Sequence, residues 1–218
     1  MFGTPPHMKI HYVSFDERFR RSHFLFDQYG PSFKKSVLDV DCYEAPIRQM
    51  VSDHVRYTGI DIVGNPDIEV NLEECECFPF EDNSFHTVIC IEVLEHLDRL
   101  HPIMDELFRV AENEVIVSLP NCWASARTPV TRGSGAVAHY GLPLERPIDR
   151  HKWFINVSDI TTFFNQYAQK HPQIESVEII GAEKPRPKMV RNLRKVTHSE
   201  IKYYNKFVHT IFGHFKIK

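Results

Sequence analysis

Residues 78–97, FPFEDNSFHTVICIEVLEHL, constrain this chain more than any other stretch. Pro79 and the run Glu81-Asp82-Asn83-Ser84 make a turn, because short polar side chains bond back to nearby backbone groups. Residues 85–91 then form an apolar, β-branched run bounded by turn residues, the pattern of a buried strand. Directly after it come Glu92, Glu95 and His96. At helical spacing these lie at i, i+3 and i+4 and share one face. Open α/β sheets place their ligands beyond the carboxyl ends of their strands. The three ionisable residues are therefore the first candidates for a site.

The rest of the chain alternates in the same way. A leading helix is expected over 14–29, with Ser14 and Glu17 in the S/T-x-x-E capping pattern and Gly30-Pro31 as its stop. Its bland role is to cover the sheet, and its sharper role is a lid. Strands follow at 36–41, 57–61 and 67–72, with a helix from Pro46 to about residue 51 between the first two. A helix over 101–110 and a strand over 114–119 come next, closed by Pro120-Asn121. Residues 122–150, rich in Gly, Pro and Ala, read as a long irregular connection. A helix over 157–168, capped by Asn156 or Ser158, and a strand over 176–180 complete the body. Strands alternating with helices imply a Rossmann-like, doubly wound α/β fold. A mostly parallel, seven-stranded sheet with helices on both faces is expected over residues 1–183.

The 218 residues suit one domain with an appendage, and 42% hydrophobic residues provide a sizeable core without disulfides. The odd cysteine count, five, points to a reduced compartment. Cys75-x-Cys77 has the wrong spacing for a zinc site. The first twelve residues lack the apolar core of a signal peptide, and no run approaches membrane-spanning length. A cytoplasmic location is the expectation. The net charge of -3 hides an asymmetry, because from Lys184 onward ten Lys/Arg face a single acid, Glu200. Ile201, Tyr204, Val208, Ile211 and Phe215 recur at helical spacing there. Residues 184–218 thus read as a basic amphipathic helical tail, suited to docking on the acidic body, homodimerisation, an anionic membrane surface or nucleic acid. Docking or dimerisation is the simpler reading, and no dedicated motif supports nucleic acid.

Phe78-Pro79-Phe80-Glu81-Asp82-Asn83-Ser84-Phe85, followed by Glu92-Val93-Leu94-Glu95-His96-Leu97, resembles the signature of class I S-adenosylmethionine-dependent methyltransferases of the type 11 group. The resemblance covers roughly residues 37–121 and continues more weakly to 180. It implies S-adenosylmethionine as cofactor, with Asp61 on the ribose hydroxyls, Ile62 also among the cofactor-binding residues, and Asn71, Leu72 and Glu74 or Cys75 near the adenine. Ile91 and Glu92 would lie beside the methionine portion, below the loop led by Asp39. That loop departs from the family pattern, Asp-x-Gly-x-Gly-x-Gly, since Asp41, Tyr43 and Ala45 fill the glycine places. Glycine there permits positive φ and close backbone approach. Either Asp41, Cys42 and Tyr43 form a working but atypical cradle, with Asp41 on the ammonium group, or the loop is closed and the chain is a pseudo-methyltransferase acting as a binding module. The working cradle is the favoured reading. A dinucleotide enzyme is disfavoured, because no G-x-G-x-x-G is present to approach a pyrophosphate.

Methyl transfer from a sulfonium is an in-line displacement in which the protein mainly aligns the partners. A hydroxyl acceptor adds the need for a base. His96 and His151 are the candidates, with His139 also in the long segment, and His86 reads as structural. The alternative for His96 is a helix histidine bonded to neighbouring backbone. Glu92, Glu95 and His96 also match E-x-x-E-H, which resembles the metal site of small-RNA 2′-O-methyltransferases; many metal-free relatives share the string, so no metal is the default. Residues 142–154 are similar to a segment of glycan-cluster methyltransferases. Arg150, His151, Lys152 and Trp153 there suit an anionic or sugar acceptor, or else Trp153 and Phe154 are core. A small-molecule or glycan-linked hydroxyl is the expected acceptor.

Overall fold

The computed structural model describes residues 8–145, 147 and 149–218, and for Arg18 the backbone alone. Most of the signal-peptide stretch, and Arg146 and Ile148 of the 142–154 segment, lie outside these. Eight strands form one sheet: β1 (Lys9–Tyr12), β2 (Ser36–Val40), β3 (Arg56–Asp61), β4 (Ile68–Glu69), β5 (Phe85–Ile91), β6 (Ala111–Pro120), β7 (Ile174–Glu183) and β8 (Val208–Ile217). Their order is β1-β7-β8-β6-β5-β2-β3-β4. All neighbours pair in parallel except β8, which runs antiparallel to both β6 and β7. The sheet thus has eight strands where seven were expected, because residues 9–12 add an edge strand to β7. Strand order reverses between β2 and β5, the switch point where such sheets bind ligands.

Alternate residues of the strands feed two cores. Val37, Ile89, Ile116 and Phe212 meet Phe24, Leu25 and Tyr29 of α1 (Arg18–Tyr29) on one face. Leu38, Val88, Cys90, Val115 and Ile211 meet α2 (Leu100–Val110) and α4 (Val157–Lys170) on the other. The doubly wound expectation holds on both faces. Asn156 caps α4 in a complete capping box with Asp159.

Several local expectations fail for identifiable reasons. The Ser14/Glu17 capping box does not form; Ser14 donates to Asp16 and the helix starts at Arg18 without a side-chain cap. The helix after Pro46 is a single 3-10 turn, Pro46–Gln49. The third strand shrinks to Ile68–Glu69. Residues 122–150 are not all irregular: α3 (Cys122–Arg132) begins there, its cap made by Asn121 accepting from the Trp123 and Ala124 amides.

The largest correction concerns the tail. It contains α5 (Lys188–Thr197) and α6 (Glu200–Phe207), and then the buried strand β8 in the middle of the sheet. The apparent helical stripe splits: Tyr204 is on α6, whereas Val208, Ile211 and Phe215 are strand residues. A central strand buried on both faces reads as a near-continuous apolar run, which periodicity cannot tell from a helix. Gly213 lets α4 press on this strand, since a Cβ there would sit 2.7 Å from the Phe164 ring. The amphipathic face belongs instead to α5, whose Met189, Leu193 and Val196 are exposed. Among the described residues no helix is long and apolar enough to cross a membrane.

Candidate active site

The loop after β2 keeps a glycine-type backbone without glycine. Asp41, Tyr43 and Ala45, the three places noted in the sequence, have φ of 64°, 50° and 50°. Left-handed non-glycine residues cost on the order of 1–3 kcal/mol each and persist only where neighbours fix them. Here the neighbours are identifiable. The Asp41 and Cys42 amides donate to the Ile60 carbonyl, and the Tyr43 amide donates to Asp61 Oδ2 at 2.8 Å. The Asn65 amide donates to the Tyr43 carbonyl at 2.7 Å. Gly64 makes that last approach possible, because a Cβ there would lie 2.3 Å from the Tyr43 oxygen.

Asp61, 2% exposed, is the anchor of this arrangement. Besides Tyr43 it accepts from the Ile62 and Val63 amides at 2.6 and 3.0 Å. A carboxylate offers about four lone-pair sites, so about one is left for a ribose hydroxyl. Cys42 is a buried thiol whose pKa burial pushes up to about 12, with Asp39 and Asp61 adding to the effect. It packs beneath Gly59, where a Cβ would be 2.6 Å from Sγ. Asp39 accepts from the Tyr57 hydroxyl at 2.6 Å. Asn71 caps its own turn by accepting from the Glu73 amide, and Leu72 is packed into the core. The apolar side chains left exposed beside the loop are Tyr43, Ile62, Val63 and Ile68.

Across from this loop, α1 supplies a residue that sequence reasoning passed over. Arg21 pairs with Glu92 Oε2, and Thr210 of β8 donates to Glu92 Oε1 at 2.8 Å. Glu92 has φ 54°, which turns the chain sharply off β5. A cavity of about 30 Å³ lies between Arg21, Ser22, Asp39, Asp41, Cys42 and Ile91. That holds a water or two. Arg21 of α1 lines this cavity while paired with Glu92, so α1 covers the site.

Beyond Glu92 the expected helical face is absent. Only Leu94–His96 form a 3-10 turn, and this separates Glu92 from Glu95 and His96. The structure instead groups Glu95, His96 and His151, with one ligand atom of each within 4.8 Å of the others. Glu95 is 1% exposed, and burial pushes its carboxyl up to about 8. Its Oε2, like Nδ1 of His96, is buried without a hydrogen-bond partner. Burial, with His96 and His139 adding, lowers His151 to about 3, and burial lowers His96 as well. The His139 ring stacks on His151 with centroids 4.3 Å apart, while its Nδ1 lies 3.0 Å from the Asp149 carbonyl. Oxygen and imidazole donors of this kind suit a divalent cation. The residues expected to recognise an acceptor are largely engaged elsewhere. Trp153 donates to the Leu97 carbonyl at 2.7 Å, and Lys152 pairs with Glu73 and Asp98, so both latch the segment to the body.

Residues 25–119 match the family model described as a methyltransferase domain. Among curated proteins no sequence matches. The chain is similar in fold to a S-adenosylmethionine-dependent methyltransferase from Archaeoglobus fulgidus, with a TM-score of 0.59 and 16% identity over 93% of this chain and 97% of that one. It is similar to the methyltransferase domain of a bacterial Hen1, at 0.58 and 18% identity over 91% and 97% of the two chains. The small RNA methyltransferase HEN1 matches at 0.62 and 14% identity, over 99% of this chain and 27% of that one. At such identities the likeness is one of fold. Family match and architecture together make residues 25–119 a methyltransferase domain of the type 11 group. The chain thus carries a S-adenosylmethionine-dependent methyltransferase domain.

Proposed function

We propose that the methyl group is delivered to a hydroxyl oxygen of a sugar-type acceptor, small or glycan-linked, whose proton leaves to the Glu95–His96–His151 group. The observation that carries this reading is a buried cluster with two unpartnered polar atoms, Oε2 of Glu95 and Nδ1 of His96, just past the cofactor edge. Burying such atoms without partners costs about 1–3 kcal/mol each, and a bound acceptor hydroxyl relieves that cost. The chain's part in the transfer is mostly positional. Arg21 would take the cofactor's carboxylate, and Asp41, with Asp39 and Glu92, would face its ammonium. Asp61 keeps the loop in place and would offer its remaining site to the ribose, while Tyr43, Ile62 and Val63, with the turn at Asn71, would flank the adenine. The left-handed path retained at Asp41, Tyr43 and Ala45 supports a working loop over a pseudo-methyltransferase. His151, lowered to about 3 by burial, is held neutral at physiological pH, so its ring keeps an unprotonated nitrogen.

A second reading, a metal-assisted RNA 2′-O-methyltransferase, is favoured by the spacing of the Glu95, His96 and His151 atoms and by the Hen1-like fold. Bound there, a divalent cation would polarise the acceptor hydroxyl and ionise Glu95. The test is transfer of labelled methyl from S-adenosylmethionine to oligosaccharides, sugar phosphates and short RNA, with and without chelator. O-methylated product is expected, and its rate should fall about 10²–10⁴-fold in His151→Ala, the range of a lost general base. Chelation abolishes activity under the second reading and leaves it unchanged under the first. Product methylated on nitrogen or carbon, or full activity in both His96→Ala and His151→Ala, would refute the hydroxyl assignment.

A further inference from the structure

A second cavity, about 330 Å³, opens on the same carboxyl edge of the sheet. That volume is at the lower end of small-ligand pockets. Its walls come from four places: the outer face of α3, the end of β7, α5 and the junction of α6 with β8. Five cations line it: Arg127, Lys184, Arg186, Arg194 and Lys206. Among the described residues the only lining acid is Glu183, which is 1% exposed and already taken by Arg194 at 3.1 Å and by the Tyr203 hydroxyl. Lys184 lies 3.7 Å from Asp16 at the rim. Among the described residues, Arg127, Arg186 and Lys206 have no carboxylate partner. Arg127 stands over the Phe207 ring at 5.3 Å, and Lys206 Nζ lies 3.1 Å from Nε2 of His198.

Gathering unpaired like charges around a concavity destabilises the fold through mutual repulsion. Nothing in the packing requires it, because these side chains are mostly exposed and the core beneath is complete without them. A bound anion would balance them. Arginine pairs well with phosphate, making parallel charge-assisted hydrogen bonds, and two arginines with one lysine suit a phosphate ester. The cavity also adjoins the reaction edge. His209, in its wall, is fixed by the Val13 carbonyl at 2.9 Å and precedes Thr210, which holds Glu92.

We propose that this cavity binds a phosphate ester belonging to the methyl acceptor, through Arg127, Arg186 and Lys206. This rests on the hydroxyl-transfer reading and narrows it, making the acceptor a phosphorylated sugar or a terminal nucleotide. The experiment is calorimetric titration of the full chain with pyrophosphate, glucose 1-phosphate and a short single-stranded RNA, none of which requires turnover. Binding is expected to weaken by about tenfold or more in Arg127→Glu/Arg186→Glu, the range of lost charge-assisted bonds. Glucose 1-phosphate binding as tightly as the RNA assigns a small sugar phosphate, and clear preference for RNA assigns a terminal nucleotide. Failure of all three probes to bind at millimolar concentration, or equal binding by wild type and double variant, overturns the proposal. Binding of S-adenosylhomocysteine, measured on the same samples and expected to be unchanged in the double variant, separates failure of this cavity from failure of the cofactor site. Both arginines are exposed, so an unchanged melting temperature is expected and a fold defect is readily recognised.

Discussion

Replacing Glu114 by Gln tests the placement of residues 208–217 as a central strand. Glu114 of β6 stands opposite Lys216 of β8, and its Oε2 lies 2.6 Å from Nε2 of His214. Its side chain is only 17% exposed. The hydrogen bond from His214, aided by one from Ser32, pulls its pKa from 4.5 down to about 2. A depressed carboxylate favours the folded state above its unfolded pKa, and the gain disappears as pH falls through the folded value. The window is therefore pH 4.5 down to about 2. At 1.36 kcal/mol per unit the shift amounts to about 3 kcal/mol, of which about 2 is gone by pH 3. Gln cannot titrate, so the wild-type advantage over Glu114→Gln should shrink by about 2 kcal/mol between about pH 5.5 and 3. Urea unfolding at a series of pH values, with m unchanged, reads this difference directly. Curves that fall in parallel would mean that Glu114 is solvated and unpaired. The strand assignment of the tail would then be wrong.

Three other perturbations address the cofactor loop. Arg21→Ala removes the partner of Glu92 and the proposed carboxylate contact; calorimetry should show S-adenosylmethionine binding about tenfold weaker or more, the scale of a charge-assisted hydrogen bond. Unchanged affinity would remove α1 from the site. Asp61→Ala leaves three amides without their acceptor, which should cost about 2 kcal/mol or more in stability and abolish measurable cofactor binding. Retained micromolar binding would contradict the anchoring role. Gly64→Ala puts a Cβ 2.3 Å from the Tyr43 oxygen at φ 80°, whereas Gly133→Ala at φ 66° meets nothing within 4 Å. The first should lose at least about 2 kcal/mol and loosen cofactor binding, the second about 1 kcal/mol and no binding; equal losses would show that the loop does not depend on the close approach.

What the sequence disclosed depended on whether the signal was local. Residues 85–91 became β5 as expected, because a short apolar run between turns has one good solution. The Asn156 cap was equally local. The helical face of Glu92, Glu95 and His96 failed because spacing alone assumes a helix, and Glu92 at φ 54° breaks it. Asn121 before Cys122-Trp123-Ala124 was a readable cap for α3, masked by the Gly and Pro further on. The tail could not be assigned from periodicity, since β8 has both faces buried. Arg21 meets Glu92, and Arg127 meets the cations of the tail, across long separations in sequence. Only the folded chain brings them together.

The departures from the glycine pattern make physical sense in this setting. Glycine tolerates a left-handed backbone alone; Asp41, Tyr43 and Ala45 require a scaffold that compensates for their side chains. Asp61 and Gly64 provide it, one by accepting the Tyr43 amide and the other by letting the Asn65 amide reach the Tyr43 carbonyl. The strain is thereby moved from the loop to its neighbours, and the loop gains side chains that glycines lack. Asp41 brings a carboxylate to the small cavity, and Tyr43 brings a half-exposed ring to the cofactor edge. The same edge continues through Glu92, held by Arg21 on one oxygen and Thr210 on the other, to the Glu95–His96–His151 group on one side and the basic cavity on the other. Glu92 is therefore the junction of the site. Under the proposed placement of the cofactor, Arg21 would pass from Glu92 to a carboxylate while Glu92, still held by Thr210, would turn its freed oxygen to the ammonium. One ion pair would then be exchanged for two without exposing a bare charge.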